Sequence, residues 1–137
     1  MRSLSRYMSK VFVYGTLRTG ASNAFRMRGA QSMGAATLKA RLYRVHAEFP
    51  GVVMSDQEDE LLHGEVFDGV TREHLLSLDI YEGCDPMMPE TERLYRRIEV
   101  EAQLVTGEIV PVYIWEYIRE VDEQDRIWTG DWLSATS

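Results

Sequence analysis

Val11-Phe12-Val13 runs directly into Tyr14-Gly15-Thr16-Leu17-Arg18, and a turn-rich segment, residues 19–23, follows. The apolar run predicts a first β-strand over residues 11–14, and the glycine-containing segment predicts a loop. A strand that opens abruptly into such a loop leaves backbone N–H groups without partners, and a bound anion or carbonyl oxygen can accept from them. Residues 14–18 are therefore a candidate binding loop, although a plain turn explains them equally well.

The length and charge of the chain narrow its class. Its 137 residues predict a single domain, which we place at residues 11–137 behind a flexible leader of residues 1–10. The formal net charge is −7, from 15 basic and 22 acidic residues. A chain this acidic is not expected to bind nucleic acid or an anionic membrane surface, because both require a basic face.

Three features of the sequence that bear on cellular location predict a cytoplasmic protein. The longest apolar run, Ile109 to Trp115, is far shorter than the roughly 18 residues of a membrane span. Residues 1–10 have no apolar core of the kind that secretory signals carry. Cys84 is the only cysteine, so no intramolecular disulfide can form, which fits a reducing compartment.

The pattern of the remaining chain predicts strands and few helices. A short helix is expected over residues 22–30 with Ser22 as its N-cap, and Phe49-Pro50-Gly51 is expected to form a turn. Extended segments after the first strand are predicted at residues 33–45, 52–54, 62–67, 97–104 and 109–117. About six strands with one or two helices favour the α+β class, as a small, mostly antiparallel β-barrel with flanking helices. A half-open α+β sheet is the alternative.

The clearest helix is predicted over Thr71 to Tyr81. Thr71 can cap its N-terminus and Gly83 can end it. The apolar face of this helix is predicted from four of its residues, Leu75, Leu76, Leu78 and Ile80.

Glu82, at the end of that helix, is the candidate acid/base. The negative end of the helix dipole disfavours a carboxylate there, and so does burial beside Leu78 and Tyr81. Both effects raise the pKa of a glutamate towards the range that suits proton transfer near neutrality. An exposed glutamate at a helix end without a function is the other interpretation.

Arg18 and Tyr113 are secondary candidates. Arg18 can clamp a substrate carboxylate or be a solvated charge. Tyr113 lies on the same face of its predicted strand as Trp115 and Tyr117, where most aromatic side chains are core, but a buried hydroxyl needs a polar partner such as a pocket supplies.

Two other chemistries have weaker signals. A cysteine hydrolase would use the Cys84 thiol with His46, His63 or His74 as base, but none of these stands in a recognisable relation to the thiol. Metal binding has even less support, because three scattered histidines form no ligand pattern.

Several segments, in order, resemble the γ-glutamylcyclotransferase-like family. The resemblance begins with Phe12 to Arg18 and runs to residue 132. The matching segments are Phe49-Pro50-Gly51, Gly64-Glu65-Val66-Phe67, Leu78-Asp79-Ile80-Tyr81-Glu82-Gly83, Tyr95-Arg96-Arg97, Val112-Tyr113-Ile114 and Gly130-Asp131-Trp132. Each segment alone is weakly specific, but the ordered set is strongly specific.

The resemblance implies a small β-barrel enzyme that forms 5-oxoproline from a γ-glutamyl amine or amide. It implies Glu82 as the catalytic acid/base and residues 14–17 as the substrate loop, to which we add Arg18 and Tyr113 as substrate-binding candidates. No metal or cofactor is expected; the expected partner is the small γ-glutamyl substrate, and a monomer or weak homodimer suffices. Residues 84–92 match no family pattern, so the leaving amine stays open. A non-catalytic γ-glutamyl or small-metabolite binding module on the same fold is the alternative.

Overall fold

The computed structural model describes residues 8–45 and 49–135. Within those ranges the chain forms seven strands, two α-helices and three short 3-10 helices. The strands are β1 (Met8–Val13), β2 (Gln31–Val45), β3 (Phe49–Met54), β4 (Leu61–Thr71), β5 (Tyr95–Leu104), β6 (Ile109–Tyr117) and β7 (Arg126–Ile127). The α-helices are α1 (Arg72–Tyr81) and α2 (Trp132–Ala135), and the 3-10 helices are Ala24–Met27, Glu90–Glu92 and Glu123–Asp125.

Five strands close into a barrel in the order β2-β4-β1-β6-β5, because β2 pairs with β4 on one side and with β5 on the other. All neighbours in the barrel are antiparallel except β1 and β6, which run parallel with Val11 opposite Tyr113. The second half of β2 extends beyond the barrel and pairs with β3 and β7. The predicted α+β class, a small and mostly antiparallel barrel with flanking helices, is confirmed.

Several boundaries differ from the predictions, and three of the differences concern segments near the loop after β1 or the predicted leader. Residues 8–10 belong to β1 rather than to the leader, whose residues 1–7 lie outside the described ranges. Phe49-Pro50-Gly51 is not a turn but the start of β3, which tolerates proline because it is an edge strand. The helix expected over residues 22–30 shrinks to a 3-10 helix that begins after Asn23, so Ser22 does not cap it.

Helix α1 forms where it was predicted. The Thr71 hydroxyl accepts a hydrogen bond from the His74 N–H at 3.1 Å, and Gly83 takes a φ of 80° that ends the helix. The predicted apolar face is wrong in part, since Leu76 and Ile80 remain 46% and 54% exposed. At about 100° per residue, the face turned to the barrel carries positions 75, 78, 79 and 82 instead. That face directs residue 82 towards the barrel.

Two apolar cores hold these elements together. One fills the barrel and includes Phe12, Leu38, Leu62 and Ile114. The other lies between the barrel and α1, where Leu78 packs with residues of β1, β4 and β6. No helix in the described ranges has the length and apolar character needed to cross a membrane.

Candidate active site

A cavity of about 630 Å³ opens where the loop after β1 meets the C-terminal end of α1 and the strands β3, β5 and β6. Its wall is mostly apolar and aromatic, and Glu82 is the only charged residue among the described residues that line it. The lining residues are Phe12, Val13, Tyr14, Gly15, Thr16, Leu17, Ser22, Asn23, Phe49, Pro50, Tyr81, Glu82, Gly83, Leu94, Tyr95 and Trp115. The structure therefore brings the predicted loop residues 14–17 and Glu82 to one cavity.

The loop after β1 is held by its own hydrogen bonds. The Arg18 N–H donates to the Gly15 carbonyl at 3.2 Å, and the Asn23 N–H donates to the Thr16 carbonyl at 2.8 Å. The Asn23 side-chain amide also donates to Thr16 Oγ1 at 2.9 Å. Within the described ranges, no group accepts a hydrogen bond from the backbone N–H of residues 15–17. These N–H groups lie beside the cavity as donors for an oxygen atom of a ligand.

Gly15 lets the loop lie against β3. A Cβ atom at this position would stand 2.9 Å from Cγ of Pro50, which is closer than real Cβ contacts come. The proline ring cannot turn aside as a flexible side chain would. A larger residue would therefore push the loop away from β3 and change the cavity.

Glu82 stands directly after α1, with its backbone N–H bonded to the Leu78 carbonyl at 2.8 Å. A hydrogen bond of 3.3 Å between the hydroxyls of Thr16 and Tyr81 ties the loop to the residue before Glu82. No described residue donates a hydrogen bond to the Glu82 carboxyl group. That group is therefore available to a ligand in the cavity.

Burial raises the pKa of Glu82 from an ordinary 4.5 to about 7, and the negative charge of Asp79 adds to the effect. Glu82 is nevertheless only half-buried, and it lines the cavity. A carboxyl group with this pKa populates both of its protonation states near neutrality, so it can accept a proton and return it.

Two tyrosines near Glu82 stay protonated. The Tyr14 hydroxyl donates to the Trp115 carbonyl at 2.7 Å, and the Tyr95 hydroxyl donates to the Pro50 carbonyl at 2.7 Å. Burial first, and then the charge of Glu82, raise the pKa of both phenols. Their hydrogen bonds join the loop after β1 to β6, and β5 to β3, around the cavity.

Arg18 and Tyr113, both predicted to bind substrate, lie outside the cavity lining. Arg18 forms an ion pair with Asp131 at 2.8 Å, with only 16% of its side chain exposed, so it is neither a clamp in the cavity nor a solvated charge. Tyr113 lies on the same face of β6 as Trp115, but residues two apart along a strand are separated by about 7 Å. At that distance from Trp115, the guanidinium group of Arg97 stacks on the Tyr113 ring, with 4.6 Å between the guanidinium carbon and the ring centre. The structure therefore does not bring these two residues to the cavity, and their assignment to substrate binding stays a prediction.

The geometry disfavours the cysteine chemistry. Cys84 is buried and its thiol points to Asp79 at 3.6 Å; burial, and then that carboxylate, raise the pKa of the thiol to about 12. His74 is bonded to the Arg26 carbonyl at 2.7 Å, and His46 lies outside the described ranges. A thiol with this pKa is a poor nucleophile near neutrality.

The acidic, cysteine and histidine side chains in the described ranges form no group of three or more with the spacing of a metal site. Glu65, which lies two residues from His63 on β4, is occupied by hydrogen bonds from other residues.

Sequence reasoning missed several residues of the cavity wall. Phe49, Pro50, Leu94 and Tyr95 come from β3 and from the start of β5, which long-range strand pairing brings to the loop. Three of them belong to the segments Phe49–Gly51 and Tyr95–Arg97 that carried the family resemblance, and Leu94 adjoins the second segment. That overlap is the signal that would have found them.

Glu65, on β4, holds the segment that directly follows the binding loop. This buried carboxylate accepts hydrogen bonds from the Thr19 N–H at 2.7 Å, from the Thr19 hydroxyl at 2.5 Å and from the Ser32 hydroxyl at 2.5 Å. Burial opposes its ionisation, but the bonds from Ser32 and Thr19 outweigh that effect and leave the pKa of Glu65 below its ordinary value.

We expect Glu65→Gln to lower the free energy of unfolding by about 1–3 kcal/mol, because an amide cannot accept all three bonds in either orientation. The amide of Thr19 should also exchange its hydrogen faster. Because the folded pKa lies below the unfolded one, the difference from wild type should shrink as pH falls below 4.5. Urea unfolding checks the energy, with the exposed Glu101→Gln as control; equal stabilities of the three proteins would contradict it.

Comparisons with known proteins show the family of this sequence. A sequence model described as "Gamma-glutamyl cyclotransferase, AIG2-like" matches residues 11–134. A γ-glutamylaminecyclotransferase of Rattus norvegicus is 32% identical over 118 residues, which are 79% of this chain and 77% of the relative. A putative γ-glutamylcyclotransferase of Vibrio cholerae is 35% identical over 127 residues, 89% of this chain and 93% of the relative.

A comparison with solved structures shows a shared fold. The crystal structure of an AIG2-like protein from Mus musculus superposes with a TM-score of 0.73 at 21% identity, over 91% of this chain and 88% of the other. The chain that forms this barrel, its loop after β1 and the cavity beside Glu82 therefore belongs to the γ-glutamyl cyclotransferase, AIG2-like family.

Proposed function

We propose that this protein is a γ-glutamyl cyclotransferase that converts a γ-glutamyl amine or amide into 5-oxoproline and a free amine. The observation that carries the proposal is the carboxyl group of Glu82, which lines the cavity without a hydrogen-bond partner among the described residues. The N–H groups of residues 15–17, which have no acceptor among the described residues, border the same cavity. Membership of the family supports an enzyme of this general class.

The reaction needs a base that later becomes an acid. The α-ammonium group of the substrate loses a proton to Glu82, and the resulting amine attacks the carbonyl carbon of the γ-amide. The new C–N bond closes a five-membered ring, and the bond to the leaving nitrogen then breaks. Glu82 returns its proton to that nitrogen, and the second proton, which the attacking nitrogen loses as the lactam forms, leaves with the free amine as an ammonium ion. The protons then balance, and Glu82 is again a carboxylate, ready for another turnover.

The cavity favours this reaction by orientation. Both reacting groups belong to one substrate, and a site that holds it folded gains the advantage of an intramolecular reaction. The N–H groups of residues 15–17 are suited to bind the α-carboxylate or to stabilise the negative charge that develops on the amide oxygen. The apolar wall, with Tyr95 and Trp115, keeps water away from these charges.

The proposal uses only groups that one chain carries. We therefore propose a monomer or weak homodimer whose partner is the small γ-glutamyl substrate. We also propose that it acts in the cytoplasm. The net charge of −7 argues against nucleic acid as a further partner.

We expect the rate of 5-oxoproline formation to depend on pH through Glu82. With a pKa of about 7, the carboxyl group becomes a base only as pH rises through neutrality, so kcat/KM should rise over that range. The measurement is a pH profile with a substrate of known α-amine pKa, so that the ionisation of the substrate can be separated. A profile without an enzyme pKa near 7 would contradict the assignment.

The activity itself is tested by incubating the protein with γ-glutamyl amines, γ-glutamyl amino acids and γ-glutamyl-ε-lysine. The proposal predicts that 5-oxoproline and the free amine appear in equal amounts from at least one of them. Thermal stabilisation by 5-oxoproline or a γ-glutamyl compound without turnover of any would instead show a binding module on this fold.

A further inference from the structure

Asp79 is a buried carboxylate on the barrel-facing side of α1, three residues before Glu82. Only 4% of the residue is exposed. One of its oxygens, Oδ1, accepts hydrogen bonds from Arg97 Nε at 2.9 Å, from Trp115 Nε1 at 2.9 Å and from the Cys84 thiol at 3.6 Å. Charged groups are rarely buried without such partners, and a cap or the apolar packing of α1 would not require a carboxylate here.

These bonds connect the walls of the cavity. Arg97 lies on β5 and Trp115 on β6, so Asp79 fixes the last turn of α1 to two strands of the barrel. The backbone carbonyl of Trp115 also accepts the bond from Tyr14, at the start of the binding loop. The Asp79 carboxylate therefore connects the end of α1, next to Glu82, to Trp115 on β6. Trp115 in turn anchors Tyr14 at the start of the binding loop.

The charge of Asp79 stands close to Glu82 as well. Residues three apart on a helix share a face, with about 5–6 Å between their Cβ atoms. The other titratable or charged groups around Glu82 are the phenols of Tyr14 in the loop after β1, Tyr81 on α1 and Tyr95 on β5, the thiol of Cys84, and Arg97, which is paired with Asp79. Arg97 is the single cation among them.

We propose that Asp79 is a positioning residue of the active site: it holds the helix turn of Glu82 against β5 and β6 and sets a negative charge, balanced in part by Arg97, behind the catalytic carboxyl group. This inference rests on the proposed role of Glu82. It adds that the basicity of Glu82 is tuned by an ion pair that touches no substrate.

Two substitutions should move Glu82 in opposite directions. Asp79→Asn keeps an oxygen that can accept from Arg97 and Trp115 but removes the charge, so Glu82 should titrate roughly one pH unit lower. Arg97→Gln removes the cation and leaves the charge of Asp79 uncompensated, so Glu82 should titrate at a higher pH than in wild type. Arg96→Gln is the matched control, because Arg96 lies on the other face of β5 and pairs with Glu116 at 2.8 Å.

The test measures the titration of the Glu82 carboxyl carbon by carbon-13 NMR, and the pH profile of kcat/KM for the same proteins. Opposite shifts in Asp79→Asn and Arg97→Gln, with none in Arg96→Gln, support the proposal, and a residue with a merely structural role would not produce them. Shifts of one sign, or no shift, would overturn it. If Asp79→Asn does not fold, Arg97→Gln decides alone: an upward shift supports the proposal, and its absence overturns it.

The NMR titration needs no turnover. A protein that forms no 5-oxoproline but shows the opposite shifts would therefore refute the proposed function while leaving the coupling of Asp79 to Glu82 in place. Opposite shifts in the NMR titration that are absent from the pH profile would instead overturn the role of Asp79 in catalysis.

Discussion

Glu82→Gln should reduce the formation of 5-oxoproline by about 10²–10⁴-fold, the usual contribution of a positioned acid/base. Glutamine keeps the size of the side chain and can still accept a hydrogen bond, but it cannot remove the proton from the α-ammonium group. The loss should fall on kcat more than on KM, because the substrate contacts that we propose for residues 15–17 remain. Steady-state kinetics on the best substrate of the panel measures both constants.

The same substitution should stabilise the protein above neutral pH. The folded pKa of about 7 lies above the unfolded value of 4.5, so the stability that protonated Glu82 contributes is present at low pH and is lost as pH rises through 7. A shift of this size corresponds to at most about 3 kcal/mol, and a neutral amide avoids the penalty. Urea unfolding at pH 6 and pH 8.5 checks the sign.

Glu73→Gln is the control for both measurements, because it makes the same change at an exposed position of the first turn of α1. Its activity should match that of wild type. Undiminished turnover in Glu82→Gln would rule out Glu82 as the base.

Gly130→Ala should destabilise the fold by about 3 kcal/mol or more, the range that marks a specific structural conflict. Gly130 has a φ of 69°, and a Cβ atom there would lie 2.0 Å from the backbone carbonyl oxygen of Leu61. The Gly130 carbonyl also accepts from the His63 N–H at 2.8 Å, so the turn cannot move away from β4 without losing that bond. Thermal or urea unfolding measures the loss.

Two causes act at Gly130: the strain of a positive φ in a residue with a Cβ atom, and the collision of that atom with Leu61. Gly107→Ala separates them. Gly107 has a φ of 94° in the β5–β6 turn, but a Cβ atom there would meet no atom within 4 Å. It should therefore show only the backbone strain of about 1 kcal/mol. Equal losses in the two variants would mean that the contact with Leu61 contributes nothing.

The sequence pattern correctly predicted the helix and the strand that depend only on interactions between residues close together in the chain. Thr71 and Gly83 mark the ends of α1, and the alternation of residues 97–104 marks β5, because capping and strand pleat act within a few residues. The buried side of α1 was less predictable. Leu76 and Ile80 are as apolar as Leu75 and Leu78, so their residue types do not show which pair is buried. Only packing against the barrel decides that Leu75 and Leu78 are buried and that Leu76 and Ile80 are exposed.

Features that depend on distant pairing were not predictable from these patterns. The closure of the barrel by β2 and β5, and the parallel pairing of β1 with β6, join segments far apart in the chain. For the same reason the sequence did not reveal that Arg18 would find Asp131, or that Tyr113 would pack on Arg97. Placing Glu82 near the loop required the family resemblance, because position at a helix end alone fits an exposed glutamate as well.

The central claim is that Glu82 faces the N–H groups of residues 15–17 across a cavity that holds a folded γ-glutamyl group. A crystal structure of Glu82→Gln with an intact γ-glutamyl amine tests it most directly. We expect the α-amine within hydrogen-bond distance of the side chain at position 82, and an oxygen of the substrate on the N–H groups of the loop. A γ-glutamyl group bound elsewhere, or bound in the cavity with its α-amine turned away from position 82, would contradict it.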